Sequence, residues 1–128
     1  MKELRILVAA RPALSRVIAH LLHDHPELRI VATLSDGDHL SHQAALFLPD
    51  VIVVNQRLLG RELPETLVDL KRSSPGSKLI LIRADSVLTV RRDSDQADGL
   101  LEEEALVQGL VPVMRSLVER IEPGLAAD

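Results

Sequence analysis

"DVIVVNQRLLG", residues Asp50 to Gly60, is the stretch whose reading decides the fold. Val51 to Val54 are all apolar and all β-branched, with Pro49 and Asp50 behind them and a polar turn ahead. A run of that length and composition predicts a fully buried strand, Val51–Asn55, of the kind found inside parallel sheets. The strand ends on one carboxamide, Asn55, and the functional question is why a buried strand presents an amide at its tip.

Working outward, short β-branched runs alternate with stretches of helical periodicity, which argues for βα units and a parallel sheet. The remaining strands are predicted at Leu4–Ala9, Arg29–Leu34 and Lys78–Ile82, with a weak fifth at Gly99–Leu101. A first helix follows Pro12, a residue favoured in a first turn, and points Leu14, Val17, Ile18, Leu21 and Leu22 to the core. It ends near "HDHPE", because the residue before Pro26 is pushed out of the helical region. A second helix over Asp38–Leu48 turns Leu40, Ala44 and Phe47 inward, and a third over Leu63–Arg72 does the same with Leu63, Leu67 and Leu70. The segment Ser86–Ala97 mixes β-branched residues with charge and lacks an apolar face, so a short or mobile fourth helix is expected there. The last helix, Gln108–Ile121, has Leu110, Met114, Leu117 and Ile121 in one stripe, with Pro112 expected in or near its first turn. The expected fold is α/β: a doubly wound five-stranded parallel sheet flanked by helices. Residues 1–121 then form one domain, and 122–128, "PGLAAD" with its preceding glutamate, a tail or linker.

Composition narrows the classes of function. A chain of 128 residues with 46% apolar residues has enough for one core. A net charge of −4 with interspersed Lys and Arg gives no basic stripe for a phosphate backbone. The absence of cysteine excludes disulfides, thiolate catalysis and Cys-ligated metals. "LRILVAA" stops at Arg11, too short for a membrane span, so no membrane association is expected and a cytoplasmic location is the default. His20, His23 and His25 fall near the end of the first helix, whereas His39 and His42 open the second, at the opposite edge of the sheet, so no metal site is expected. "VAARPALSR" has no glycine to admit a pyrophosphate, and Ser15 and Ser35 have no evident base, so no cofactor and no enzyme activity are predicted.

In doubly wound sheets function sits beyond the carboxyl ends of the strands. Those tips are Ala9 to Arg11, Asn55 to Arg57, Arg83 to Asp85 and Glu102 to Glu104. The spacing of "RPALSRVIAHLLHDHPELRIVATLSDGDHL" and of "PDVIVVNQRLLG" resembles that of response-regulator receiver domains, particularly those at the front of helix-turn-helix transcription regulators. The resemblance implies the receiver (flavodoxin-like) topology. It also implies that an active member would carry an acidic pair after the first strand for Mg²⁺, an Asp at the third tip to accept phosphate, and a Ser or Thr and a Lys to hold it. By that resemblance these positions fall on Ala9 and Ala10, Asn55, Arg83 and Glu103. Alanine has no ligand atom, a neutral amide does not attack phosphorus, and glutamate reverses the sign of the lysine. The resemblance therefore implies a degenerate phosphorylation pocket in a pseudo-receiver for signalling or transcription control, with DNA engaged only through a downstream domain.

Two readings of the emptied pocket follow. In one, Arg83 pairs with Glu102 or Glu103, Asn55 bonds nearby backbone, and the tip is a structural plug. In the other, Arg11, Arg57 and Arg83 ring a crevice that binds an anionic small molecule or a partner carboxylate. A homodimer is also expected, or docking to another signalling protein. Val107, Val111 and Val118 form a second stripe on the last helix beside the core stripe, and this gives a candidate dimer face shared with the first helix.

Overall fold

The computed structural model describes residues 3–59, 63–83 and 97–121. The order of elements is β1 (Leu4–Ala9), α1 (Pro12–His23), β2 (Leu28–Leu34), α2 (Leu40–Phe47), β3 (Val51–Asn55), α3 (Leu63–Ser73), β4 (Lys78–Arg83), β5 (Gly99–Glu102) and α4 (Leu106–Ile121). All four strand pairings are parallel, and the sheet order is β2-β1-β3-β4-β5. The strands expected from the sequence are present, each within one residue of its predicted ends. The expected fourth helix over 86–97 falls, apart from Ala97, outside the described residues, as does the 122–128 tail.

Strand alternation divides the core in two. Ile6, Val8, Val51, Val53, Ile80, Ile82 and Leu101 face α1 and α4, where Ile18, Leu22, Leu110 and Met114 meet them. Leu7, Ala9, Ile52, Val54, Leu79 and Leu81 face α2 and α3, against Leu40, Ala44, Leu67 and Leu70. β3 is buried at every residue, as its composition requires of a central strand covered on both sides. Full burial of each large aliphatic side chain contributes about 1.5–3 kcal/mol.

Four expectations are corrected. Pro112 lies inside α4, not near its first turn, because a 3-10 turn at Glu103–Ala105 runs off the end of β5 and starts the helix at Leu106. The acceptor left without a partner by Pro112 is the carbonyl of Gln108; both residues are exposed, so water can reach it. Val17, expected in the core, is 40% exposed. α2 spans Leu40–Phe47, two residues shorter at its start than expected and one at its end, and Phe47 is only half-buried. It closes on Leu48, which adopts a left-handed conformation (φ 46°) and donates its N–H to the Ala44 carbonyl at 2.9 Å. Finally, the polar turn expected after Asn55 begins with a helical turn, Gln56–Leu59, because Leu59 is pulled into the α2/α3 core.

Candidate functional site: the tips of the central strands

Asn55 is two residues beyond Val53, so its side chain falls on the α1/α4 side of the sheet. It is 1% exposed. Its Nδ2 donates to Glu103 Oε2 at 2.9 Å, a contact the 3-10 turn after β5 makes by returning Glu103 toward β3. Arg57, on the helical turn after β3, donates its Nε to the same oxygen at 3.1 Å. The tip of β3 is thus tied to the end of β5 by one carboxylate shared between an amide and a guanidinium. The plug reading had Asn55 bonding backbone; the structure gives it a side-chain partner instead. The Arg57–Glu103 pair is one that sequence reasoning missed.

Arg83 goes elsewhere. It continues the parity of Leu79 and Leu81, toward the α2/α3 side, and its register partner on β5 is Glu102. Its Nη2 lies 3.4 Å from Glu102 Oε1. Arg11, Asn55, Arg57 and Glu103 line an open depression of about 310 Å³ together with Ala13, Leu14 and Val17 of α1. Arg83 does not line it, so the expected ring of three arginines is not assembled; two of the three are brought together. Arg11 is exposed and has no ion-pair partner among the described residues.

Ala9 and Ala10 are fully buried. The Ala10 amide donates to the Leu34 carbonyl at 3.0 Å, and its own carbonyl accepts from Ser15 Oγ at 3.2 Å. The residues after β1 are thus occupied with holding β2 and α1. Two buried side-chain atoms among the described residues have no hydrogen-bond partner, Asn55 Oδ1 and Arg83 Nε, and both are at this edge of the sheet. No group of three or more His, Cys, Asp or Glu side chains is placed to hold a metal ion among the described residues. Of the expected dimer stripe, Val107 is 68% exposed, Val111 packs partly against the α1/α4 core, and the side chain of Val118 lies outside the described residues. No described helix is long and apolar enough to cross a membrane.

The sheet order and the position of these tips define a flavodoxin-like, doubly wound fold. No family model matches the chain, and no curated protein matches it. Solved structures narrow the class. A LuxR-family two-component response regulator from Aurantimonas sp. SI85-9A1 superposes with a TM-score of 0.80 at 15% identity, over 91% of this chain and 85% of that one. The isolated REC domain of RcsB from Salmonella enterica serovar Typhimurium, solved with the phosphomimetic BeF3-, gives 0.81 at 14% identity, over 92% and 90%. The signal receiver domain of a modulated diguanylate cyclase from Desulfovibrio desulfuricans G20 gives 0.81 at 16%, over 96% and 99%. The fold of this chain is that of a response-regulator receiver domain. Because one such neighbour is a LuxR-family response regulator and another the receiver domain of a diguanylate cyclase, the fold does not select the output.

Proposed function

We propose that this chain is a pseudo-receiver that acts without phosphorylation, as an interaction or dimerisation module in signalling, with transcription control as its setting. The observation that carries the reading is the Glu103 carboxylate, bound to Asn55 Nδ2 at 2.9 Å at the tip where the receiver pattern calls for a nucleophilic Asp and a Lys. Both partners have the wrong chemistry for phosphoryl transfer, and the amide N–H of one is met by the carboxylate of the other. Ala9 and Ala10 supply no oxygen for Mg²⁺. Residues 1–121 would form the module, with 122–128 a tail or linker; any DNA contact would belong to a domain beyond it, and the expected setting is the cytoplasm. Incubation with Mg²⁺ and acetyl phosphate, followed by intact-mass spectrometry, tests it: the mass stays unchanged, and a stable gain of one phosphoryl group at a strand tip defeats the reading.

The dimer is proposed through the first turn of α4 and the neighbouring α1. Val107 supports it as a large apolar side chain 68% exposed on a helix whose Leu106, Leu110, Met114 and Leu117 are buried. Light scattering is expected to show a dimeric parent and a folded, monomeric Val107→Glu variant.

A second reading keeps the same edge as a sensor of an anionic small molecule. Its support is Arg11, which lines the depression with Arg57 but, unlike Arg57, has no countercharge among the described residues.

A further inference from the structure

At the opposite end of the molecule, the corner between α1 and β2 holds a histidine in a fixed place. The His25 amide donates to the Leu22 carbonyl at 3.0 Å, its carbonyl accepts from the Leu28 amide at 2.8 Å, and Pro26 follows it. The residue is half-buried, and its ring meets α4: Arg115 Nη2 lies 3.2 Å from His25 Nδ1 and 3.1 Å from Glu27 Oε2. One guanidinium nitrogen thus bridges a ring nitrogen and a carboxylate, and the pair clamps the helix to the corner. A guanidinium has only donors, so Nδ1 must be the acceptor and carry no proton. The contact exists for the neutral ring alone.

The clamped helix has a weak point just before Arg115. Pro112 has no N–H to give the Gln108 carbonyl, so the hydrogen-bond ladder of α4 is interrupted there. Beyond the interruption the helix is held by Met114 and Leu117 in the core and by the Arg115 clamp at the rim. We propose that His25 is a pH sensor: neutral, it closes the clamp on Arg115, and protonated, it takes the Glu27 carboxylate as its own partner, displaces the guanidinium and loosens the second half of α4. Arg115 is half exposed, so the exchange shifts a local equilibrium and leaves global stability nearly unchanged.

Histidine is the side chain whose charge changes between about pH 5 and 8. Protonation of Nδ1 sets an N–H against an N–H across that 3.2 Å contact and adds a second cation beside Arg115. Glu27 is ready to receive the new donor. Its carboxyl is held below the ordinary 4.5, first by a backbone N–H with burial opposing, then by Arg115 and by the charge of His25. The other charged groups described at this corner are His20, His23 and Asp24, all exposed on α1 and its cap, and Glu3 and Arg29, which pair with each other at 3.4 Å. Among the described residues none of them bonds the His25 ring or Arg115. Val107, Val111 and Arg115 are spaced by four and fall on one side of α4. The clamp therefore acts on the side proposed above for dimerisation, although the switch itself stands without the dimer.

The test uses the full chain between about pH 5 and 8. In an NMR titration the His25 ring, the Glu27 carboxyl and the Arg115 Nε–H are expected to shift together through one midpoint. Amide hydrogen exchange over 113–117, corrected for the intrinsic rate, should be about threefold faster at the acid end than at the basic end, the scale of one exposed tie, and unchanged in β3. His25→Asn, whose Oδ1 takes the place of Nδ1 and does not titrate, should keep the slow rate at both ends. Arg115→Ala should show the fast rate at both. An Arg115 signal indifferent to the His25 titration, equal exchange at both ends in the parent, or a pH dependence that survives in His25→Asn each overturns the proposal.

Discussion

The two edges of the sheet differ in how far their side chains are tied to backbone. At the amino edge, acidic and hydroxyl side chains hold backbone. Asp50 Oδ2 accepts from the Arg5 amide at 2.9 Å, Asp98 Oδ2 accepts from the Leu79 amide at 2.8 Å and from Lys71 Nζ at 2.6 Å, and Ser77 Oγ donates to the Pro49 carbonyl. At the carboxyl edge, Ser15 Oγ holds the Ala10 carbonyl, but the other ties run from side chain to side chain: Asn55 to Glu103, Arg57 to Glu103, Arg83 to Glu102. Both unpartnered buried side-chain atoms of the described chain are at that second edge. Side-chain-to-backbone bonds fix the register of strands and helix ends. Side-chain pairs at a partly exposed rim are worth little to stability and can be rearranged.

If that division is right, mutations of comparable chemistry should separate by edge. The largest loss is expected from Asp98→Ala, which strips the Leu79 amide and Lys71 of their acceptor at the start of β5. We expect a loss of about 2 kcal/mol, read as a lowered urea midpoint with unchanged slope. Asn55→Leu, of similar volume, removes both the bond to Glu103 and the unpartnered Oδ1. The Glu103 carboxylate keeps Arg57 and water, so stability should stay within about 1 kcal/mol of the parent. A loss at Asn55 as large as that at Asp98 would mean that the carboxyl edge is structural too, and the contrast would collapse.

The same contrast explains what could be read from the sequence. Strand positions were legible because buried β-branched runs such as Val51–Val54 leave few alternatives, and the pairing of helices with sheet faces follows from alternation. Alternation also held a signal that went unused. Asn55 has the parity of Val53 and Arg83 that of Leu81, so the two tips address opposite sides of the sheet, and a ring containing Arg11, Arg57 and Arg83 was already excluded. The Glu103 contact was not legible, since it depends on a 3-10 turn whose position no residue type announces. Pro112 misled for the same reason: a proline marks a helix start only when nothing upstream begins the helix first. Val17 obeys helical spacing and yet faces outward, because the apolar stripe of α1 is wider than the strip of sheet it covers.

The smallest expected effect sharpens the amino edge at its outer rim, where α4 meets the loop after α1. Arg115 Nη2 lies 3.1 Å from Glu27 Oε2 and 3.2 Å from His25 Nδ1. The carboxyl of Glu27 titrates below its ordinary 4.5, first because a backbone N–H bonds it, with burial opposing, and then through the Arg115 hydrogen bond and the charges of Arg115 and His25. A carboxylate whose folded value is depressed contributes stability that is fully present above the unfolded value. That contribution disappears as the pH falls through the lowered folded value. The effect should be small at so open a site, and NMR titration of the Glu27 carboxyl should detect it where melting curves do not. Because the backbone donor is the leading cause, Arg115→Ala should raise the Glu27 midpoint only part of the way toward 4.5. Full recovery of the ordinary value in Arg115→Ala would show that a side-chain pair governs this rim as well, and the distinction between the two edges would then stop at the sheet itself.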